Sequence, residues 1–567
     1  MKKILLVAIN AKYIHSNLAV HSLQASAGAC REFVEIAEHT INEQKDEILK
    51  DVFLRRPDVL CISCYLWNLE YVEAISREFH KICPEVPIWL GGPEVSYETR
   101  AFLEEHPWIR GVMIGEGEDT FRELCAHYLE GGQELCDVRG IAFREDDEIR
   151  VNSPREQKNL SDVPFCYGNL EEYENRIIYY ESSRGCPFSC SYCLSSVDKK
   201  LRFRDLELVK KELQFFLDKK VPQVKFVDRT FNCERNHSRT IWRYLKEHDN
   251  GITNFHFEIS ADLLQEEDLE LIRGMRPGLI QLEIGVQTTN EATIQEIHRS
   301  MKLEKVKEVV GRIRAFGNVH QHLDLIAGLP HEDFQSFRRS FDEIHALWPN
   351  QLQLGFLKVL KGSFMYEHAK EYGIAWHDAP PYEVLRTNWL SFEEILRIKK
   401  VEEMLEVYYN SGQFEVTMKL LNALTDSMFD FYLSLGEFYE KKGYGGMQHS
   451  RIKRCEILLE FLREKDEGKT EELFSEALTF DLYYRENCKT RPAWAPDPAC
   501  FKEMTRRFCD KGKMSHLEPL HYAFPSKSDL GVKDLPVRLE RPVWALFHYD
   551  ERDPLDHQAR VEFLDGE

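Results

Sequence analysis

The sequence predicts an α/β protein built in three parts. These are an N-terminal doubly wound parallel sheet, a central partial (βα)6 barrel and a mostly α-helical C-terminal domain. Three observations predict this. Short apolar runs alternate with amphipathic helical stretches through the first 130 residues. Six further strand-helix alternations run from residue 171 to 365. Beyond residue 366 the alternation stops and helical periodicity dominates. A chain of 567 residues is long enough for three or four domains. The boundaries read as 1–135, a linker over 136–170, then 171–365 and 366–567.

In the first part, apolar strand-like runs lie at residues 4–9, 33–36, 59–63, 87–90 and 112–114. Helical stretches at 17–29, 46–55 and 70–82 separate them. That order predicts a Rossmann-like parallel sheet, whose ligands bind at the carboxyl ends of the strands. Those ends carry Ser63-Cys64-Tyr65, then Gly91-Gly92-Pro93-Glu94, then Gly115-Glu116-Gly117-Glu118. Glycines there let the backbone approach a large flat or phosphate-bearing ligand, although ordinary strand-end turns use them too. The basic, apolar start at Met1-Lys2-Lys3-Ile4 reads as a first strand, since it lacks the small-residue cleavage site of a signal peptide.

In the second part, strands are expected at 176–182, 223–228, 254–259, 279–285, 320–326 and 351–357. Leu206, Val209, Leu213, Phe216 and Leu217 make one face of an amphipathic helix between the first two. The informative loop is Cys186-Pro187-Phe188-Ser189-Cys190-Ser191-Tyr192-Cys193, preceded by Arg184-Gly185. Three thiolates on one short loop suit three corners of a [4Fe–4S] cluster and leave one iron open. A structural zinc site normally takes four ligands in pairs, which this triplet does not supply. Polar groups gather at the expected strand ends: Asp228 and Thr230, Glu258, Glu283 and Gln287. Glu258 and Glu283, each taken alone, read as ordinary strand-end charges. Cys233 reads as a buried thiol.

The cysteine loop resembles that of the radical S-adenosylmethionine (SAM) superfamily. The resemblance implies that SAM chelates the open iron and that one electron cleaves it to a 5′-deoxyadenosyl radical. It implies a backbone contact from Tyr192 to the adenine and a turn at Asp228 and Thr230 for the methionyl ammonium. It also implies ribose contacts from Glu258 and Glu283. Glu283-Ile284-Gly285-Val286-Gln287-Thr288 is similar to the family's E-x-G-x-Q-S/T segment. Ala327-Gly328-Leu329-Pro330 resembles its adenine-side segment. The upstream glycine turns resemble the cobalamin-binding domain of B12-dependent members, which implies cobalamin contacts from Ser63, Tyr65, Gly91, Gly92, Pro93, Glu94, Gly115, Glu116 and Gly117. The D-x-H-x-x-G signature of many cobalamin domains is missing. Asn10-Ala11-Lys12-Tyr13-Ile14-His15 stands in its place, so cobalamin is expected without a firm protein ligand from His15. The resemblance as a whole is to class B methyltransferase-like proteins of the B12-binding radical SAM family with a DUF4080-like C-terminal domain. It implies C-methylation of an unactivated carbon. Three alternatives stand beside it: a non-methylating rearrangement, cyclisation or oxidation, an RNA-modifying methylthiotransferase, and a non-catalytic cobalamin-binding protein. The methylthiotransferase would need three more cluster cysteines, and Cys30, Cys61, Cys64 and Cys83 sit poorly for that on expected helix and strand interiors.

In the third part, helical periodicity is clear at 392–407 and 456–463, and aromatics such as Trp389, Tyr408, Phe429 and Tyr432 are frequent. Strand-like segments at 537–539 and 542–548 read as a hairpin. Arg506, Arg507, Lys511 and Lys513 make a locally basic stretch, read as a solvated helix face. Cys488, Cys500 and Cys509 are too unevenly spaced for a cluster. A net charge of −22 argues against general nucleic-acid binding. Fifteen cysteines, an odd count, fit a reducing cytoplasm rather than a disulfide framework. No apolar run is long enough to span a bilayer. The expected partners are a substrate that is a small molecule, peptide or RNA, and an electron donor such as flavodoxin or ferredoxin.

Overall fold

The structure, a computed structural model, describes residues 2–146, 148–509, 514–525 and 534–565. Lys511 and Lys513 of the basic stretch lie outside the described residues. The chain folds as two units. The first comprises Met1–Ile280, Gln295–Met301 and Phe356–Asn388, and the second Gln281–Ile294, Lys302–Gly355 and Trp389–Glu567.

The first unit opens with a seven-stranded sheet. Strands β1 (Ile4–Asn10), β2 (Val34–Thr40), β3 (Val59–Ser63), β4 (Ile88–Gly91) and β5 (Gly111–Met113) run parallel. The strand β1 is buried at every residue, and its run Ile-Leu-Leu-Val-Ala-Ile-Asn shows why: both of its faces are covered. Leu5, Val7 and Ile9 join a core with Ile48, Val72, Ile75 and Phe79 from the helices Lys45–Leu54 and Leu69–Ile82. Ile4, Leu6 and Ala8 join another with Val20, Phe121 and Leu124 from Leu18–Ser26 and Glu118–Cys125. Two strands that periodicity did not mark, β6 (Ile141–Glu145) and β7 (Glu148–Val151), add antiparallel to β5. The order β2-β1-β3-β4-β5-β6-β7 puts the reversal of winding between β1 and β3, and a crevice opens at their carboxyl ends.

The same unit continues with β8 (Ile178–Tyr180), a short antiparallel pair β9 (Ser183–Arg184) and β10 (Arg202–Phe203), then β11 (Gln223–Phe226) and β12 (Asn254–Ile259). The strand β11 pairs parallel with both β8 and β12. The second unit carries β13 (Ile280–Gln287), β14 (His320–Ala327) and β15 (Gln351–Phe356), with β13 and β14 parallel. The six strands expected between residues 176 and 357 are therefore all present. A two-stranded antiparallel pair, β16 (Ala375–Trp376) and β17 (Val384–Arg386), completes the first unit.

The second unit continues through helices Phe392–Leu405, Glu415–Leu424, Met428–Lys442, Arg451–Asp466 and Glu471–Arg485. Its frequent aromatics are core: Tyr408, Phe429 and Tyr432 are fully buried, and Tyr408 OH meets Tyr439 OH at 2.7 Å. It ends in an antiparallel sheet of β18 (Ser515–Tyr522), β19 (Arg538–Arg552) and β20 (Ala559–Asp565). The expected hairpin over 537–548 is instead part of one long strand, β19. Pro542 sits where the pairing of β19 with β18 shifts register, a place that does not need its missing N–H. Among the described residues no helix is long and apolar enough to cross a membrane.

Candidate active site

A cleft of about 820 Å³ lies within the first unit, at the carboxyl ends of the first sheet. Ser63, Tyr65, Gly91, Gly92 and Pro93 line it, as do Gly115, Glu116 and Gly117. Glu94 meets Tyr382 instead, and burial raises its carboxyl above the usual carboxylate range.

The buried Asn68 holds the switch point open. Its Nδ2 donates to Ile9 O and Ser63 O, each at 3.0 Å, and its Oδ1 accepts from Tyr65 N at 2.8 Å. One side chain thereby ties the ends of β1 and β3 and presents Tyr65 to the cleft. Tyr65 stacks on Trp67 with ring centroids 4.5 Å apart. Gly92 adopts φ +121, and a Cβ there would lie 2.2 Å from Cys64 O. Gly115 is also left-handed, at φ +76, but has nothing within 4 Å of a Cβ. His15 lines the cleft, and its Nδ1 is 2.7 Å from Tyr179 OH. Burial, with Lys12 and Lys225 nearby, lowers its pKa below the ordinary imidazole value.

Residues flanking the cysteine loop form the facing part of the same cleft: Arg184, Leu194, Ser195 and Asp198. Arg184 connects the parts by charge. It pairs with Glu118 at 2.6 Å, Glu181 at 2.8 Å and Glu116 at 3.1 Å. Arg202 adds Glu116 at 2.5 Å and Asp198 at 3.0 Å. The loop itself is pinned by its backbone. Cys186 N donates to Asp198 O at 2.9 Å, Ser191 N to Ile297 O at 2.9 Å and Met365 N to Ser191 O at 2.8 Å. Gly185 enters the loop at φ +92, where a Cβ would sit 2.5 Å from Lys200 O. Lys199 Nζ closes the far side on Phe188 O at 2.6 Å and Ser189 Oγ at 2.8 Å.

The remaining sequence-marked residues divide between the units. In the first unit, Thr230 Oγ1 lies 3.9 Å from Cys186 Sγ. Asp228 is fully buried and faces the backbone leading into the loop. It accepts from Ser182 N at 3.0 Å and from Ser182 Oγ and Ser183 Oγ at 2.6 Å each. Burial lifts its pKa to about 6 against the pull of those donors. Ser182 Oγ also meets His237 Nε2 at 2.9 Å, and burial lowers that imidazole to about 4, so it stays neutral. Glu258 Oε2 is 3.9 Å from Arg229 Nη1, and Arg229 lines the cleft. In the second unit, Glu283 on β13 is in register with His322 on β14. Gln287 ends β13 at φ +74, and its Oε1 is buried with no hydrogen-bond partner among the described residues. Ala327 is fully buried at the end of β14, and Gly328 follows at φ +92.

Asn68, Arg184, Arg202 and Arg299 carry structural work that the motif reading did not assign. Each has a partner far away in sequence, Ile9, Glu118, Glu116 and Cys190 respectively, which local spacing does not mark.

The cysteines fit a cluster better than a single ion. Among the described residues, no three His, Cys, Asp or Glu side chains close on one metal. A mononuclear zinc site needs such convergence, whereas a cube presents separate irons to separate thiolates. Of the four candidates for a second cluster, Cys30, Cys61 and Cys64 are buried in the cores of the first sheet, and Cys83 is partly buried against one of them. The cleft also fits a large flat group. The left-handed Gly115 leaves open space, and Gly92 brings backbone where a side chain has no room.

Comparison with known proteins bears on these features. Residues 4–125 match the B12 binding domain family, 180–344 the radical SAM superfamily, and 370–527 a protein family of unknown function, DUF4080. The cobalamin-dependent radical SAM methyltransferase TokK of Streptomyces tokunonensis is 28% identical over 314 residues, 50% of this chain and 44% of TokK. The chain thus spans less than half the length of that relative. The methyltransferase TsrM from Kitasatospora setae, solved with cobalamin and a [4Fe-4S] cluster, aligns at TM-score 0.55. The alignment has 17% identity and covers 67% of this chain and 79% of TsrM. The cobalamin-dependent SAM radical enzyme OxsB, solved with aqua-cobalamin and SAM, aligns at TM-score 0.53. It has 15% identity and covers 89% of this chain and 75% of OxsB. Both structural likenesses show the fold. The radical SAM domain implies a [4Fe–4S] cluster and SAM, and the B12-binding domain implies cobalamin. The chain therefore combines a B12-binding domain, a radical SAM domain and a DUF4080 domain.

Proposed function

We propose that this enzyme is a cobalamin-dependent methyltransferase that methylates an unactivated carbon. One observation carries the reading: the glycine turns of the first sheet and the flanks of the cysteine loop line one cleft. When bound, the cluster and SAM supply one-electron bond cleavage, and cobalamin supplies a transferable methyl group.

The chain's own residues bind and position. Cys186, Cys190 and Cys193 hold the cluster. Tyr192, Thr230 and Glu258 are assigned to SAM binding, as are Glu283, Gln287, Ala327 and Gly328 on the family's segments, and Asp228 acts through Ser182 and Ser183 to set the approach of the loop. Ser63, Tyr65, Gly91, Gly92, Pro93, Gly115, Glu116 and Gly117 receive cobalamin, with Glu94 set back behind them. Arg184, at the entry to the cysteine loop, ties that loop to the glycine turn, because two of its carboxylate partners, Glu116 and Glu118, lie on the turn. Holding reacting groups in place is the main catalytic demand of such chemistry. The working parts are residues 1–135, 171–365 and 366–567, with a linker over 136–170. The last part selects the substrate, and a flavodoxin- or ferredoxin-type donor supplies the electron.

The test is anaerobic reconstitution with iron, sulfide and cobalamin, followed by dithionite and SAM carrying a deuterated methyl group. Small-molecule and RNA fractions of a cell extract serve as the substrate pool. Formation of 5′-deoxyadenosine together with a labelled product supports the reading. Formation of 5′-deoxyadenosine with no labelled product in either fraction moves the assignment to a non-methylating radical reaction.

A further inference from the structure

The turn containing Arg299 belongs to the same unit as the cysteine loop. Ser191 N donates to Ile297 O at 2.9 Å, which lays the two segments side by side. From there the guanidinium reaches back onto the loop. Its Nη1 donates to Tyr192 OH at 3.0 Å and to Cys190 Sγ at 3.7 Å. Arg299 is half-buried with its Nε shielded from solvent, so its charge is only partly screened there. It is a permanent cation whose planar fork lets one nitrogen serve two acceptors in fixed geometry.

We propose that Arg299 is a positioning residue that raises the reduction potential of the cluster. The proposal rests on the assignment of Cys186, Cys190 and Cys193 as its ligands. Reduction adds one electron, with no proton, to a centre that already bears three thiolates. The potential of such a centre is set by net charge, by hydrogen bonds to its sulfurs and by solvent exposure. Arg299 changes the first two in the same direction. Its charge and its N–H donor at Cys190 both favour the state with one more electron. Tyr192 fixes the direction of the donor by taking the second contact of the same nitrogen.

The experiment is a potentiometric titration of the anaerobically reconstituted full chain with dithionite as the electron source, followed by electron paramagnetic resonance. It compares wild type, Arg299→Gln and Arg299→Lys. Iron and sulfide counts for the wild type test the ligand assignment separately. A wild type that takes up no cluster removes that assignment and the proposal with it. With a full cluster, R299Q is expected to titrate at a lower midpoint. One-electron reduction becomes about tenfold less favourable, a shift of about 59 mV. R299K keeps the charge without the fork and is expected to fall between the two. A midpoint equal to wild type in fully loaded R299Q overturns the proposal. If R299Q loses its iron, R299K decides on the same criterion. Loss of iron from both variants with a native circular dichroism spectrum also overturns it, since Arg299 then retains the cluster rather than tuning it.

Discussion

Gly92→Ala tests how the cleft is built, and its cost follows from two features of the structure. The first is conformation. Gly92 has φ +121 and ψ 174, a region essentially reserved for glycine, and holding alanine there costs roughly 1–3 kcal/mol. The second is space. The added Cβ would lie 2.2 Å from Cys64 O, closer than such atoms approach, so the backbone of one segment must move by most of an ångström. It cannot move freely, because Cys64 N is hydrogen-bonded to Gly91 O at 2.7 Å and Tyr65 N to Asn68 Oδ1 at 2.8 Å. Forcing an extra carbon into such packing costs roughly 1–3 kcal/mol more. Together these predict a loss of about 2–6 kcal/mol, against a stability for a whole domain of about 5–15 kcal/mol. The control is Gly115→Ala, on the same cleft. It is left-handed too but has no atom within 4 Å of the new carbon, so its cost is roughly 1–2 kcal/mol of backbone strain. Urea denaturation followed by circular dichroism measures both. Cobalamin titration by absorbance then shows whether displacing Cys64 and Tyr65 also weakens binding, with G92A expected to lose at least about tenfold. Equal stability losses in G92A and G115A would refute the argument from close approach. Unchanged cobalamin affinity in a folded G92A would detach this turn from the cofactor.

Other consequences can be measured in the same way. Arg184→Met leaves the buried Glu118 without its cation beside Glu116 and Glu181, and stability should fall by about 3–5 kcal/mol in urea; a loss below about 1 kcal/mol would contradict it. Cys190→Ala should abolish the iron–sulfur absorbance while leaving far-ultraviolet circular dichroism unchanged. Asp481 is buried, caps the helix Glu415–Leu424 through Val416 N and Thr417 N, and has its pKa raised from 3.8 to about 7, chiefly by burial. An acid whose pKa is raised on folding makes the native state bind the extra proton. Its stabilising share is therefore complete below pH 3.8 and is lost as the pH climbs through 7. Between pH 5 and 8 the second unit should lose about 2–3 kcal/mol from this group, and Asp481→Asn should flatten that slope in paired thermal melts.

Several of these features were legible before folding and others were not, for physical reasons. The strand β1 was plain because its continuous apolar run suits only a strand covered on both sides. The cysteine loop was plain because its chemistry is local. Gly92 stood out as part of Gly-Gly-Pro, but the reason for it is the carbonyl of Cys64, which no spacing displays. Ile141-Ala142-Phe143 is too short a run to announce β6, and its burial depends on β5. Asp228 was marked as a ligand-facing acid, yet both of its oxygens are engaged by Ser182 and Ser183. The aromatics of the C-terminal helices were conspicuous by their number, and Tyr408, Phe429 and Tyr432 are core packing. Arg184 was visible only as the residue before the cysteine loop and Arg299 not at all, because an ion pair or a hydrogen bond to sulfur is a property of two distant segments meeting.

The contiguity of the first sheet has a consequence for biosynthesis. All seven strands fall between Ile4 and Val151, and none of their pairings waits for a later residue. At roughly 5–20 residues per second, Cys186 emerges from the ribosome a few seconds after the last of these strands. One wall of the cleft is then free to form before there is any thiol loop to oxidise or mismetallate. The hydrogen bonds that pin the loop to Ile297 and Met365 come later still. The loop therefore emerges before the segments that pin it.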